Sequence, residues 1–497
     1  MSHLYSYSFE RNADWSREYP GQQEIQDYLI GVAHKYELYR HIRFNSSVEE
    51  AHWNEDRFNW TTTVRRQGDK EKEVSETYQV ESDFLISATG QLSQPKYPHL
   101  PEIEKFQGKI MHSARWDWNY SIRGKRVGII GTGATAAQII PEVAQSSSSL
   151  LVFQRSPAWV VPRHDHPISQ IRRALYKYIP LVQQHYRASI MDERESKFEP
   201  SFYPKSTKHE FVKQLCQKHM LNQLPGEANA SLRQQLTPNY PFSCKRIIVS
   251  DDFYPTLLRQ NVSLETSAIV NVTEKGIKLA NGTHHDLDVL ILATGFHSTN
   301  FLSDIRIYGS NGYPLHSTWS KAGASAYLGI TVPNLPNFGM LYGPNTNIAY
   351  NSLIIQIEAQ SLYLSRIVSN VLSAKRSGKT LRIEPRADVT DAYNRAIQSK
   401  LSGSTFADTR CNSWFKDEKG RITNNWAGSA VEYQQRVQRL DWSDYEVLGT
   451  ATGDVLKKGV IKWSRRKEEG AWSAVELSTA AVGMLVLGIL GLWFQLR

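Results

Sequence analysis

Cysteine is scarce in this chain: Cys216, Cys244 and Cys411 are the only three in 497 residues. Their spacing fits neither a zinc site nor a paired disulfide framework, so the sequence points to a reducing compartment and to no structural metal. A leading basic-then-apolar signal segment is absent. Clusters of like charge are missing too. The net charge of +9 is scattered along the chain, which argues against nucleic acid as a partner. An anionic cofactor or a membrane surface is explanation enough for it. Long apolar runs are lacking until the C-terminus, where Ala480 to Phe494 carries no charge and Arg465-Arg466-Lys467 lies upstream. At about 1.5 Å per residue that run spans about 22 Å, short of a hydrocarbon core of about 30 Å. Extending it to residues 477–496 brings it near the lower limit. The expectation is a C-terminal anchor placing the protein on the cytoplasmic face of an intracellular membrane, with an interfacial helix as the alternative.

What is present is an ordinary globular composition, 40% hydrophobic and 22% charged, long enough for two or three domains. Aromatics are generous, with 13 Trp and 24 Tyr, compatible with a roomy aromatic-lined site. The most informative stretch runs from Lys125 to Ala137. Its short apolar run, Val127 to Ile130, is enough for one buried parallel strand. Gly131-Thr132-Gly133 turns the chain, and Ala134 to Val143 reads as a helix. A strand, glycine turn and helix aim backbone N–H groups at a diphosphate. Thr132, Gly133, Ala134, Thr135, Ala136, Ala137 and Gln138 are the candidate cradle, with Ala136 in place of the third fingerprint glycine. A second strand, Leu150 to Phe153, ends in Gln154-Arg155-Ser156. Sites that prefer NAD place an acid near here for the ribose hydroxyls; Arg155 instead offers donors to a 2′-phosphate, so NADP is the expected nucleotide.

Elsewhere, the pattern predicts a helix over Glu24–Tyr36 and strands at Ile42–Phe44, Phe58–Val64 and Thr77–Val80, with the charged run 67–76 as a hairpin tip. Asp83 to Gly90, a strand ending in a glycine turn, recurs as Asp288 to Gly295. Such a repeat marks two nucleotide-binding domains, as in two-domain flavin oxidoreductases. Two such strands call for two glycine turns, and this sequence holds one. The second copy closes the domain opened at Gly131. The first closes a domain whose opening strand and loop belong ahead of Met1. The expected fold is therefore α/β, with two Rossmann-like dinucleotide-binding domains, the FAD domain incomplete at its N-terminus. Residues 1–120 hold its remnant and a linker, and 121–296 the NADP domain with a helical insertion at about 165–237. Residues 297–440 return to the FAD domain and substrate side, with a long helix over Ser352–Ala374. A charged linker, 441–476, then precedes the membrane segment.

Three landmarks now coincide. Phe106-Gln107-Gly108-Lys109-Ile110-Met111-His112-Ser113-Ala114-Arg115-Trp116-Asp117 fits the fingerprint F-x-G-x-x-x-H-x-x-x-W-P/D of Baeyer–Villiger monooxygenases, just ahead of the glycine turn. From Met1 to about residue 440 the chain resembles that family, and most of all its fungal members from polyketide and mycotoxin gene clusters. The resemblance implies an enzyme using FAD, NADPH and O2 to insert oxygen beside the carbonyl of a small-molecule ketone, giving an ester or lactone. It also implies roles. Arg246 would stabilise negative charge during oxygen transfer, and Lys245 would join Arg155 and Ser156 on the 2′-phosphate. Trp414 would stand near the nicotinamide ribose, Tyr5 would touch the flavin, and Val48 would meet the adenine. His112 belongs to the interdomain linker and receives no proton-transfer role. The family's FAD glycine loop, ribose-binding Glu and an active-site Asp align upstream of Met1, so the expectation is a longer natural protein and weak FAD retention by the chain as given. Competing readings are an N- or S-oxygenating flavin monooxygenase and an inactive NADP-binding remnant.

Overall fold

The structure is a computed structural model that describes residues 2–66, 76–302 and 304–463. Helix α1 (Gln22–Lys35) is followed by an antiparallel meander of β1 (Ser46–Asn54), β2 (Asn59–Arg66) and β3 (Glu76–Ser82), with Arg306–Tyr308 added in parallel on β1. Period-2 alternation explains it: Trp60, Thr62 and Val64 point inward from β2 while their neighbours face out. The strand expected at 42–44 does not form. Asn45 takes a positive φ of 52°, which breaks an extended run, and pairing begins only at Ser46. The tip at 67–75 lies outside the described residues.

The repeated strand falls in two separate parallel sheets. Its first copy gives β4 (Leu85–Ser87), paired in parallel with Phe338–Met340. The second, Val289–Leu292, lies in a five-stranded parallel sheet with β5 (Lys109–His112), β6 (Arg126–Ile130), β7 (Ser149–Phe153) and Val262–Glu265. The order across it is Val262–Glu265, β7, β6, Val289–Leu292, β5. All four residues of Val289–Leu292 are buried, as a continuous apolar run requires when both faces of a parallel sheet are covered. One face is covered by α2 (Ala134–Ser146), which buries Ala136, Ala137, Ile140, Val143 and Ala144. Against the other pack Phe106 and a three-stranded antiparallel sheet over residues 269–286.

The polar stretch after this glycine-turn unit is helical: α3 (Gln170–Tyr178), α4 (Pro180–Glu195), α5 (Phe198–Phe202), α6 (Thr207–Gln223) and α7 (Ala230–Leu236). Ser169 and Ser206 cap α3 and α6 through their hydroxyls. From α4 the fully buried Arg187 donates to the Ser6 hydroxyl at 2.8 Å and to the His3 carbonyl, docking the N-terminal segment on the insertion. The long helix spans Leu353–Arg376 and anchors the largest core through Tyr363, Leu364 and Ile367.

Three expectations are corrected. The stretch from 441 onward is no linker as far as 463: Tyr445–Leu448 pairs with Arg382–Pro385, and Trp442 and Tyr445 are buried. Apolar residues spaced among charges make an alternating strand that composition alone hides. Cys244 and Cys411 form a disulfide, because the fold closes a gap of 167 residues that no local spacing advertises. Membrane attachment and a membrane-face location find no support: among the described residues no helix is long and apolar enough to cross a membrane. The expected anchor, 477–496, lies outside the described residues.

Candidate cofactor and oxygen-transfer site

At the glycine turn, Gly131 has φ +112°, and a Cβ there would lie 2.6 Å from the Ala293 carbonyl oxygen, so the backbone passes where only glycine fits. Gly133 precedes α2 in extended conformation, exposed and with open space where a Cβ would stand. Among the described residues no side chain caps α2, and the first bond of its ladder runs from the Ala137 N–H to the Gly133 carbonyl. The N–H groups of Ala134, Thr135 and Ala136 are therefore available to an anion. Ala136 is fully buried, as the position of closest helix–sheet contact demands. Gln138 instead turns back onto the Ala134 carbonyl, 2.9 Å.

The loop after β7 comes to the same place. The Thr132 hydroxyl donates to the Ser156 carbonyl at 3.3 Å. Lys245 Nζ donates to the Ser156 hydroxyl at 2.8 Å and stands 4.6 Å from the centre of the Tyr240 ring. Tyr240 is held in turn by its hydroxyl on the Pro157 carbonyl, 2.6 Å, and by the Trp159 indole on its own carbonyl, 3.0 Å. Burial, and then the nearby Arg155 charge, hold the Lys245 ammonium below its ordinary pKa. Two cations and a hydroxyl thus gather at an uncapped helix N-terminus, an arrangement that a phosphate dianion relieves. The residues fit a nucleotide with a 2′-phosphate.

Immediately before Lys245 the chain makes a tight turn, Cys244 N–H to Pro241 carbonyl, 3.3 Å, with Ser243 at φ +68°. The next residue, Arg246, leaves in another direction. It is exposed and donates through Nη1 to the Ala349 carbonyl at 3.3 Å. Its charge is felt at the Tyr342 hydroxyl, whose pKa burial nonetheless drives up, and Tyr5 is close enough to act on the same hydroxyl. Tyr342 and Asn345 both hold positive φ in the turn Tyr342-Gly343-Pro344-Asn345, strain fixed by surrounding bonds. The Tyr342 hydroxyl reaches Asn347 Oδ1 at 3.0 Å, and Asn347 reaches Asn425 Oδ1 at 2.6 Å. Among the described residues Asn345 Oδ1, Asn424 Oδ1, Asn425 Nδ2 and both amide atoms of Gln356 are buried without a partner. A narrow aromatic pocket with room for about one water molecule adjoins Ala349, lined by Phe198, Phe202, Tyr350, Phe406 and Trp426.

Trp414 is half-buried in the loop that the disulfide ties to Cys244. Its carbonyl accepts from Ser298 Oγ at 2.9 Å and Asn424 Nδ2 at 2.7 Å. His112 is buried between Tyr97 and Phe296, accepts from the Ala114 N–H at 3.1 Å, and is held below its ordinary pKa by burial. The fold thus brings Thr132 to Ala136, Ser156, Arg155 and Lys245 together, and separately Arg246, Tyr342 and Tyr5. Val48 stays apart, exposed on β1 at a register shift. Sequence reading missed Tyr240, Tyr342 and the cysteine pair. Gly343-Pro344-Asn345 has the composition of a turn, but nothing in it signals a role for the Tyr342 hydroxyl.

A family model described as "Flavin-binding monooxygenase-like" matches residues 5–308. The chain is 43% identical to the FAD-binding monooxygenase ktnD of Aspergillus niger over 476 residues, covering 96% of this chain and 78% of that one. It is 36% identical to a Baeyer-Villiger monooxygenase of Streptomyces coelicolor, covering 92% of this chain and 84% of the other. Among solved structures it resembles oxidized steroid monooxygenase bound to NADP, with a TM-score of 0.75 and 27% identity over 93% of this chain and 90% of that one. It also resembles OTEMO in complex with FAD and NADP, with a TM-score of 0.73 and 27% identity over 88% and 86% of the two chains.

Proposed function

Because the chain belongs to the flavin-binding monooxygenase-like family, we propose that it is a Baeyer–Villiger monooxygenase that draws its electrons from NADPH. Its cofactors are FAD and NADP. The overall reaction converts a ketone, O2, NADPH and a proton into an ester or lactone, NADP+ and water. Reduced FAD, when bound, supplies the activated oxygen. The observation that supports the reading is the divergence of two neighbouring cations after the turn at Ser243: Lys245 reaches the Ser156 hydroxyl, and Arg246 reaches the Ala349 carbonyl near Tyr342.

On the Lys245 side, α2 offers N–H groups to the diphosphate, while Lys245, Arg155 and the Ser156 hydroxyl hold the 2′-phosphate. An acid that would favour NADH is lacking there. On the Arg246 side, a fixed guanidinium sits beside the place where the ketone oxygen gains negative charge as oxygen adds to its carbon. A cation positioned beforehand stabilises that charge without solvent rearrangement. Trp414, on its bonded loop, covers the nicotinamide end and helps to keep water out.

The test is product analysis under 18O2 with FAD and NADPH, offering a cyclic aryl ketone, a tertiary amine and a thioether in parallel. One labelled oxygen in an ester or lactone is expected. An N-oxide or sulfoxide with no ester would overturn the assignment in favour of heteroatom oxygenation.

A further inference from the structure

The bond between Cys244 and Cys411 joins two parts of the site that are otherwise separate in sequence by 167 residues. On one side it directly precedes Lys245 and Arg246. On the other it leads through Asn412 and Ser413 to Trp414. Both cysteines are buried, in an apolar cluster with Trp159, Tyr240 and Phe242. Much of the Trp414 loop is bonded to itself: Lys416 Nζ donates to the carbonyls of Asp408 and Cys411, and Arg410 pairs with Asp408 at 2.7 Å. The disulfide is the covalent tie between this loop and the segment that carries both cations.

We propose that Cys244 and Cys411 form a thiol–disulfide latch that sets how firmly the chain holds NADP(H). Closed, it keeps the Trp414 loop against the Lys245–Arg246 segment. Opened, it releases the Cys411 end of the loop, while the bonds to the Trp414 carbonyl and the buried Phe415 stay in place, and it weakens the nucleotide. The second half of this statement rests on the NADP reading of the Lys245 side.

Opening takes a dithiol. One of its thiolates attacks a sulfur of the pair, the S–S bond breaks, and the other cysteine leaves as a thiolate that takes a proton. The second thiol of the reductant then displaces the first cysteine and leaves as a disulfide, so two electrons and two protons end on Cys244 and Cys411. Closing takes a peroxide. One cysteine thiolate attacks an oxygen of hydrogen peroxide, breaking the O–O bond and releasing hydroxide. The other cysteine then displaces the hydroxyl from the resulting sulfenic acid, releasing water as the S–S bond forms. Because both sulfurs are buried, either exchange requires the loop to move. Nucleotide that binds the closed form more tightly also makes the pair harder to reduce at equilibrium, the reciprocal of the latch's effect on binding. Cys216 stands outside the device: it is buried, and its thiol is pushed up to about 12.

The experiment uses the full chain with Cys216→Ala, so that every thiol counted belongs to the pair. NADP+ is titrated calorimetrically into the oxidised chain, the chain reduced with dithiothreitol, and the chain reoxidised with hydrogen peroxide. Limited proteolysis of residues 408–417 is followed alongside. The expected result is an affinity at least tenfold weaker after reduction, restored by peroxide, with faster cleavage of the loop in the reduced state. The Cys244→Ser/Cys411→Ser variant should match the reduced chain under both conditions. Equal affinity and equal cleavage in the two states would overturn the latch. So would loss of far-ultraviolet circular dichroism on reduction, which would make the bond a staple of the fold. Redox-dependent cleavage in a chain that binds NADP+ in neither state would leave the latch standing and sink the cofactor reading.

Discussion

Lys245 and Arg246 are adjacent in sequence and serve different places: Lys245 Nζ meets the Ser156 hydroxyl at 2.8 Å, whereas Arg246 Nη1 meets the Ala349 carbonyl at 3.3 Å. Their separation predicts separable kinetics.

If Lys245 grips the 2′-phosphate as proposed, replacing it by Ala removes a charged partner of that group. Charge-assisted hydrogen bonds contribute about 1.5–3 kcal/mol, so the KM for NADPH should rise by about 10- to 100-fold. Oxidation of NADH, which lacks that phosphate, should hardly change. Steady-state oxidation of both nucleotides checks this, and an equal loss with each would place Lys245 elsewhere.

Arg246→Ala should instead spare nucleotide binding. Removing one preorganised charge stabiliser typically lowers turnover by about 100- to 1,000-fold. The variant should bind NADP+ within about threefold of the parent and yield little ester or lactone. Calorimetry and product quantification separate the two effects.

Nucleotide binding should also depend on pH through Lys245. In the free chain burial and Arg155 depress its pKa, and a bound phosphate dianion raises it again. Between the two values binding takes up a proton, so NADP+ affinity falls as pH rises through that window. Calorimetry in two buffers of different ionisation enthalpy should reveal the uptake, and Lys245→Ala should abolish it.

His3 predicts an acid limit on stability. It is fully buried against Tyr176 and Tyr186, and desolvation pushes its pKa down to about 3. Folding favours the neutral ring, so the stabilisation is complete above the unfolded value near 6.5. It is lost as pH falls from there toward 3, at about 1.4 kcal/mol per pH unit. Urea midpoints measured down this range should drop, and His3→Phe should flatten the slope.

Gly131→Ala should damage both fold and nucleotide site. The left-handed φ and the Ala293 carbonyl in the way together call for a loss of about 2 kcal/mol or more. Thermal unfolding and NADP+ titration should worsen together.

Sequence carried the glycine-turn unit well, because β6 is an unbroken apolar run and its turn and helix follow without interruption. The repeat at Asp83 and Asp288 likewise located β4 and Val289–Leu292, since a strand buried on both faces leaves little choice of residue. What it hid was long-range or conditional. Nothing near Cys244 or Cys411 signals a partner 167 residues away. Ile42–Phe44 has strand composition but meets a left-handed Asn45. Trp442 and Tyr445 are buried by neighbours that local composition does not reveal. The fork at Ser243 was equally invisible, because backbone handedness at a non-glycine residue follows from the surroundings that hold it.

That fork constrains how the protein can be re-engineered. Lys245 and Arg246, with their two proposed roles, share one short stretch of backbone just after the left-handed Ser243. A backbone adjustment there that moves the Lys245 ammonium would move the Arg246 guanidinium as well. Exchanging side chains around Ser156, with the bend itself left untouched, is therefore the route that would alter the proposed nucleotide grip alone.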